Sequence, residues 1–279
     1  MKLLKGNIIH APTLEKLETI ENGALLLEDD GTIREVLHAA PQDFDGRVYD
    51  CSGQLIMQSF ADMHLHAPQF PNVGMGMDLP LLDWLKTYTF PVEAKFADLD
   101  YARRIYRRLA HDLIANGTTR VCMFSSLHTD ATLVLMEELE NAGVTGFVGK
   151  VNMDRNGGEN LEETPEESIR ETRRWLEGCR RFRFVRPIIT PRFTPACTDE
   201  LMTALGKIAA EQNLCVQSHL SENLDEIAWV RSLHPDCAQY WESYDKFGLW
   251  KSHTVMAHCI HSDERERTAI REAGVVVAH

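Results

Sequence analysis

Residues 59–67 read Ser59-Phe60-Ala61-Asp62-Met63-His64-Leu65-His66-Ala67, and the fold turns on how this stretch is read. Side chains of a strand alternate between faces, so positions i and i+2 share one. His64 and His66 then point the same way, at a spacing that suits two ligands of one metal ion. Imidazole suits zinc and other borderline metals, and a catalytic zinc keeps three or so protein ligands plus an open position for water. Taken alone, the pair equally describes two polar residues on a wet strand face. Two further segments shift the balance. Gln217-Ser218-His219-Leu220-Ser221-Glu222 follows the apolar run Leu214-Cys215-Val216, and His258-Cys259-Ile260-His261-Ser262 follows Thr254-Val255-Met256-Ala257. Strand ends that carry histidine at three places predict one metal site at the mouth of a parallel barrel.

Outward from this stretch, apolar runs alternate with helical stretches. The runs are Leu55-Ile56, 120–124, 146–151, 185–189, 214–217, 254–256 and 274–278. Between them, Asp98 or Asp100 caps a helix with Ile105, Leu109 and Leu113 on one stripe, ended by Asn116-Gly117. Thr164-Pro165-Glu166-Glu167 has the form of a capping box with proline at the first helical position. Thr198 starts another helix, and Ser262 starts the last, which ends at Gly274. Strands alternating with helices predict an α/β fold, a TIM-like (β/α) barrel with its active site at the C-terminal ends of the strands. A doubly wound open sheet is the alternative, but it would spread the first, fifth and sixth strands apart. Upstream, residues 1–58 read as short strands and turns, with Asp29-Asp30-Gly31 as a tight turn between Gly23–Glu28 and Thr32–Leu37. The expected organisation is therefore 1–58 as part of a small β-sandwich domain and 59–279 as a partial barrel with the metal site.

The sequence has 279 residues, 44% of them hydrophobic, which is enough for a sizeable core. Net charge is -13, from 42 Asp and Glu against 29 Lys and Arg, which argues against nucleic-acid and anionic-membrane partners. The basic runs Arg103-Arg104 with Arg107-Arg108, and Arg180-Arg181 with Arg183, read as solvated faces. Seven cysteines are scattered without any Cys-x-x-Cys, as expected of free thiols in a reducing compartment. No signal-peptide core and no membrane-span length of apolar sequence is present, so a cytoplasmic protein is expected.

Glu222 stands three residues past His219. A carboxylate there reaches a metal-activated water without being a ligand, and serves as general acid and base, as in zinc nucleobase deaminases. Its bland reading is a first-turn helix carboxylate behind a Ser221 cap.

At these residues the sequence resembles the amidohydrolase superfamily, and within it the guanine deaminases. The resemblance runs over the whole chain. It is carried by His64-Leu65-His66-Ala67-Pro68-Gln69, Asp78-Leu79-Pro80-Leu81-Leu82-Asp83-Trp84-Leu85, Thr89-Phe90-Pro91, Thr190-Pro191-Arg192-Phe193, His219-Leu220-Ser221-Glu222 and Ala257-His258-Cys259. The histidines are common to much of the superfamily; the Leu-Pro-Leu-Leu-Asp-Trp-Leu, Ala-Pro-Gln and Pro-Arg-Phe segments are far more specific. The resemblance implies a zinc ion, one per chain, on His64, His66 and His219, with iron(II) as an alternative. It implies Glu222 as proton shuttle and His258 as the residue that orients the attacking water or the tetrahedral intermediate. His66, Gln69, Arg192, Phe193, His219 and Glu222 would surround a small-molecule substrate, guanine, which is hydrolysed to xanthine and ammonia. Gln69 offers donor and acceptor to a purine edge, Arg192 a fork for a carbonyl oxygen, and Phe193 a stacking face. Without that context Arg192 is a surface ion-pair residue and Phe193 a core ring; Trp84 is either a pocket wall or a packing residue. Another aminopurine, a pterin or a triazine is the alternative substrate, and a non-catalytic remnant the alternative from another class. A homodimer is compatible with the resemblance.

The family pattern includes one more ligand, an aspartate after an eighth barrel strand, whereas this sequence runs to Val275-Val276-Val277-Ala278-His279 on the seventh. Asp263 is a poor substitute because it starts a helix. The expectation is a fragment of a longer product that, as it stands, binds zinc poorly and deaminates guanine slowly if at all.

Overall fold

The computed structural model describes residues 1–158 and 160–279, and its contacts divide the chain into two units, Met1–Phe60 and Ala61–His279. The first is one four-stranded sheet in the order β3-β2-β1-β4, with β1 at Lys2–Thr13, β2 at Lys16–Leu27, β3 at Ile33–Leu37 and β4 at Arg47–Met57. β2 runs antiparallel to both neighbours, and β4 runs parallel to β1. Three of these strands are 11 or 12 residues long, well beyond the short pieces expected, because the β1–β2 and β1–β4 ladders shift register and continue. Leu3, Ile8, Ile20, Ala24 and Leu25 are its buried apolar residues. Leu55-Ile56, counted with the apolar runs that alternate with helices but inside the 1–58 division, lies in β4: Leu55 is paired with Asn7 and Ile56 with Ile8. Leu55 is exposed, so an apolar pair alone does not name its sheet.

The second unit starts its barrel with β5, Phe60–His66. β6 (Thr118–Phe124), β7 (Thr145–Gly149) with its continuation β8 (Val151–Asn152), and β9 (Val185–Pro187) with β10 (Thr190–Pro191) follow. β11 (Gln217–Leu220), β12 (Val255–His258) and β13 (Val276–Ala278) complete the series. Sheet order is β5-β6-β7-β9, continued by β10-β8, and β11-β12-β13, with a parallel bridge between Ile189 and Val216 joining the two groups. Strand neighbours in space are thus neighbours in sequence, the topology of a TIM-like wall rather than of a doubly wound sheet, and seven staves of it lie among the described residues.

Helices cover the outside. Leu99–Ala115 is capped by Asp98, whose carboxylate accepts from the Asp100 and Tyr101 amides, so of the two candidates Asp98 is the cap. Thr164 and Glu167 form the expected capping box of Pro165–Cys179, and Thr198 caps Asp199–Glu211. The last helix, Glu264–Ala273, is capped by Asp263 rather than Ser262; Ser262 instead donates to Glu266 at 2.6 Å. Gly274, at φ 68°, ends it in the left-handed region that glycine adopts without penalty. Of the basic runs, Arg103 and Arg107 pair with Glu138 on the neighbouring helix Thr129–Ala142. The main core, with Tyr106, Leu135, Leu139, Val148, Trp175, Leu205 and Ile208, lies between these helices and the strands.

Strand alternation decides what faces inward. In β6, Val121 and Met123 pack in this helix-facing core while Cys122 and Phe124 belong to other clusters. In β5, Leu65 packs against the helix-facing core, which leaves His64 and His66 on the inner face. In and just before β11, Leu220 and Val216 pack outward, and Gln217 and His219 face in, where Gln217 donates to the Met123 carbonyl and the Thr190 hydroxyl oxygen.

Candidate active site

A cavity of about 280 Å³ opens at the C-terminal ends of the strands, lined by His64, Leu65, His66, Gln69, Leu81, Trp84, Leu85, Arg192, Phe193, His219, Glu222 and His258. Every site residue expected from the sequence is on this lining, and so is Trp84 of the two readings left open for it. Such a volume lies near the lower end of the range for small-molecule pockets.

His64, His66 and His219 each bring a ring nitrogen into one group whose atoms lie within 4.8 Å of one another. The His219 Nδ1 is 2.6 Å from the Arg192 carbonyl oxygen. A carbonyl accepts and never donates, so Nδ1 carries the proton and Nε2 the lone pair. That Nε2 faces the His66 Nε2 at 2.9 Å. Two lone pairs at this distance repel unless a proton or a cation lies between them. The His66 Nδ1 is buried with no protein partner among the described residues. Burial also holds all these rings neutral: the His64 pKa is pushed down to about 3, and those of His66 and His219 well below the usual value. Neutral imidazoles with an oriented lone pair are what a divalent metal requires, and the backbone carbonyl that orients His219 is the usual outer support of such a ligand. The donor set fits the expected ion.

His258 reaches the cavity by a different route. In β12, Met256 packs outward and Ala257 carries the inner position, so strict alternation would turn His258 away. The backbone at His258 and Cys259 is left-handed, with φ 72° and 54°, which breaks the alternation. The His258 ring stacks on His219 at 5.4 Å between centroids and its Nε2 lies 3.4 Å from Glu222 Oε2. Burial brings the His258 pKa down to about 4.

Glu222 is not in a helix. Ser221, left-handed at φ 48°, reverses the chain after β11, and Asn223 is the cap of Leu224–Leu233 in a capping box with Glu226. Ser221 therefore does not cap, and the first-turn reading of Glu222 fails. Buried Glu226 accepts from the amides of Glu222 and Asn223 and from the Tyr240 hydroxyl, which fixes the segment. Burial, then the neighbouring Glu226, push the Glu222 carboxyl up to about 8, against the pull of Arg192.

Arg192 and Phe193 follow β10. Phe193 is buried, meets Trp229 edge-on at 6.1 Å and lines the cavity. Arg192 is not a surface residue: it is 2% exposed and pairs through both terminal nitrogens with Glu93, at 2.5 and 3.0 Å. Glu93 also accepts from Gln69 Nε2 at 3.3 Å. Sequence reasoning missed Glu93. It ends the short turn Phe90–Glu93, directly after Thr89-Phe90-Pro91, and the signal available was an acidic residue in an otherwise apolar stretch. Trp84 donates its indole N–H to the Met75 carbonyl at 2.9 Å, which seats it against the preceding loop.

The amidohydrolase family model matches residues 55–279. The guanine deaminase of Dictyostelium discoideum is 38% identical over all of this chain, and that of Rattus norvegicus 37% identical over 99%. The chain spans 66% and 64% of the length of these two relatives. A crystal structure of guanine deaminase from C. acetobutylicum with bound guanine superimposes with a TM-score of 0.93 at 44% identity, over 99% of this chain and 66% of that one. Histidine-bearing strand ends, a barrel of neighbouring parallel strands and a family match over most of the sequence agree, and the chain belongs to the amidohydrolase family.

Proposed function

We propose that this site hydrolyses guanine to xanthine and ammonia, with one zinc ion on His64, His66 and His219, iron(II) being the alternative on the same donors. The observation that carries the reading is the pairing of Glu222, 3.4 Å from His258, with a buried hydrogen-bonding wall of Gln69 and Arg192 in the same cavity. The relatives named above are guanine deaminases, which supports the choice of substrate. His64, His66 and His219 would hold the zinc ion, which when bound would lower the pKa of water towards neutrality and so supply a nucleophile at physiological pH.

The chain's own groups do the rest. Arg192 donates to the C6 oxygen, Gln69 holds the adjoining ring edge, and Phe193 packs on the ring face. Glu222 takes a proton from the attacking water as the C2–O bond forms and hands it to the ring nitrogen N3; it then relays the hydroxyl proton to the exocyclic amine as the C2–N bond breaks, so that ammonia leaves and the C2 carbonyl remains. A carboxyl whose proton affinity is raised to about 8 is suited to both halves of that transfer near neutral pH. His258 lies on the Glu222 side and hydrogen-bonds the oxygen that adds to C2. Seven free cysteines, stable in a reducing compartment, support a cytosolic setting for the reaction. The test is ammonia release from guanine by the zinc-supplemented protein. Release that depends on Glu222 supports the proposal, and none at any metal loading overturns it.

A further inference from the structure

Glu93 occupies a position that the reaction as described does not use. It is 1% exposed, it neutralises the buried Arg192, and it receives the amide of Gln69 as well. Both cavity residues assigned to the substrate's polar edge therefore converge on one carboxylate behind them. We infer that Glu93 is a positioning residue that sets which hydrogen-bond pattern the cavity reads, by locking Gln69 and Arg192 into an acceptor beside a donor. Such a pair complements a lactam edge, a ring N–H next to a C=O. The inference deepens the guanine reading and rests on it for the identity of the ligand class.

An ionised carboxylate accepts hydrogen bonds and donates none. Gln69 can contact Glu93 through its NH2 group and not through its oxygen. The oxygen and nitrogen of a planar amide diverge on opposite sides of the Cγ–Cδ axis, so Oε1 is turned away from Glu93, and Gln69 lines the cavity. The side chain that could have shown either face is left showing an acceptor. Arg192 has five N–H bonds in a rigid fork and no acceptor; Glu93 takes one from each terminal nitrogen and holds the fork in plane, leaving the others as donors. The Phe90 ring lies 5.0 Å from the guanidinium carbon and closes its other side.

Against this wall, a purine with N1–H and a C6 carbonyl makes both bonds. Adenine presents the inverse pattern, a bare ring nitrogen and an amino group, so acceptor meets acceptor and donor meets donor. Rejecting a ligand by leaving buried polar groups unpaired is far more effective than rejecting it by size. A carboxylate that merely balanced the charge of Arg192 would not need Gln69, and its loss would weaken every ligand alike or unfold the protein.

The two roles separate in the ratio of affinities for hypoxanthine and adenine, measured by calorimetry on the zinc-supplemented full chain. Hypoxanthine carries the lactam edge and has no exocyclic amine, so its binding does not depend on deamination. The expected result is that the wild type binds hypoxanthine about tenfold or more tighter than adenine. Glu93→Gln, whose carboxamide lets Gln69 turn over, should lose most of that preference. Glu93→Asp keeps the charge that Arg192 requires and withdraws the carboxylate from Gln69, whose contact is the longer one; the preference should fall severalfold, which covers the case in which Glu93→Gln does not fold. An unchanged ratio in a folded variant, or a wild type without preference, overturns the inference. A lactam preference that depends on Glu93, in a protein that releases no ammonia from guanine, would sink the deamination reading and leave the role of Glu93 standing.

Discussion

The two polar walls of the cavity are built on opposite electrostatic plans. One holds His64, His66, His219 and His258, buried or half-buried rings kept neutral by desolvation, with Glu222 pushed towards its protonated form. The other holds Arg192 and Glu93, both charged, almost fully buried and bonded to each other. Desolvation acts on both, and it is relieved on one side by giving up charge and on the other by pairing it. A wall of neutral bases has capacity for an added cation or proton. A wall of satisfied charges has none, and can only aim hydrogen bonds. The contrast assigns bond making and breaking to the first wall and recognition to the second, and each prediction below strains that division at one point.

The largest effect should come from emptying the first wall. Removing the metal with a chelator, or replacing His64 by Asn, should abolish turnover, with metal content measured on the same samples. Zinc should restore the chelated wild type and not the variant, while hypoxanthine still binds to both. Hypoxanthine binding that vanishes with the metal would show that the walls are not separable.

Next in size is Glu222→Gln. Loss of a positioned general acid and base costs about 10²–10⁴ in rate. We expect that loss in kcat, with KM for guanine changed by less than about threefold, since the amide keeps the shape of the side chain and its neighbours. An equal fall in affinity would place Glu222 in recognition rather than in proton transfer.

The same carboxyl makes a stability prediction for the metal-free protein. Its folded-state pKa, about 8, stands above the usual value of 4.5, so the folded state holds the proton more tightly than the unfolded one. The contribution to stability is therefore full below pH 4.5 and is lost as pH rises towards about 8, with a slope of at most about 1.4 kcal/mol per pH unit. Glu222→Gln removes it. Denaturant unfolding of wild type and variant at pH 5 and pH 8 should show the variant gaining relative to the wild type as pH rises. Parallel curves would mean that water reaches Glu222 freely.

The two walls also differ in how far the sequence disclosed them. The first was legible because histidines at i and i+2 in a strand share a face, and because strands of a parallel barrel end together. Glu222 was legible from its distance to His219, although Ser221 looked like a cap and proved to be a left-handed reversal instead. His258 lies in the cavity for a reason that periodicity does not contain, since its left-handed backbone overrides the alternation of β12. In the second wall, Gln69 and Arg192 were visible through the resemblance, but Glu93 was not. An isolated acidic residue near the end of an apolar turn has no period, and its role depends on a cation 99 positions away. For the fold, caps and glycine stops marked most helix ends, whereas Leu55-Ile56 read as one more run of the alternating series and lies in β4 with Leu55 exposed, because an apolar pair does not name its sheet.

A third wall, the apolar one of Leu81, Trp84 and Leu85, supplies the smallest effect and the finest test. Trp84 lines the cavity and donates its indole N–H to the Met75 carbonyl, its one side-chain hydrogen bond among the described residues. Trp84→Phe keeps an aromatic face on the cavity and deletes that one hydrogen bond, whose net worth is about 1 kcal/mol. If the residue acts as a wall, loosening it should raise KM for guanine by about fivefold or less and leave kcat unchanged, because neither proton transfer nor the lactam contacts run through it. The ratio of hypoxanthine to adenine affinity should also hold, since a flat apolar face does not distinguish N–H from a lone pair. A fall in kcat alone would instead make the Met75–Trp84 link part of a closing step that the first wall waits for.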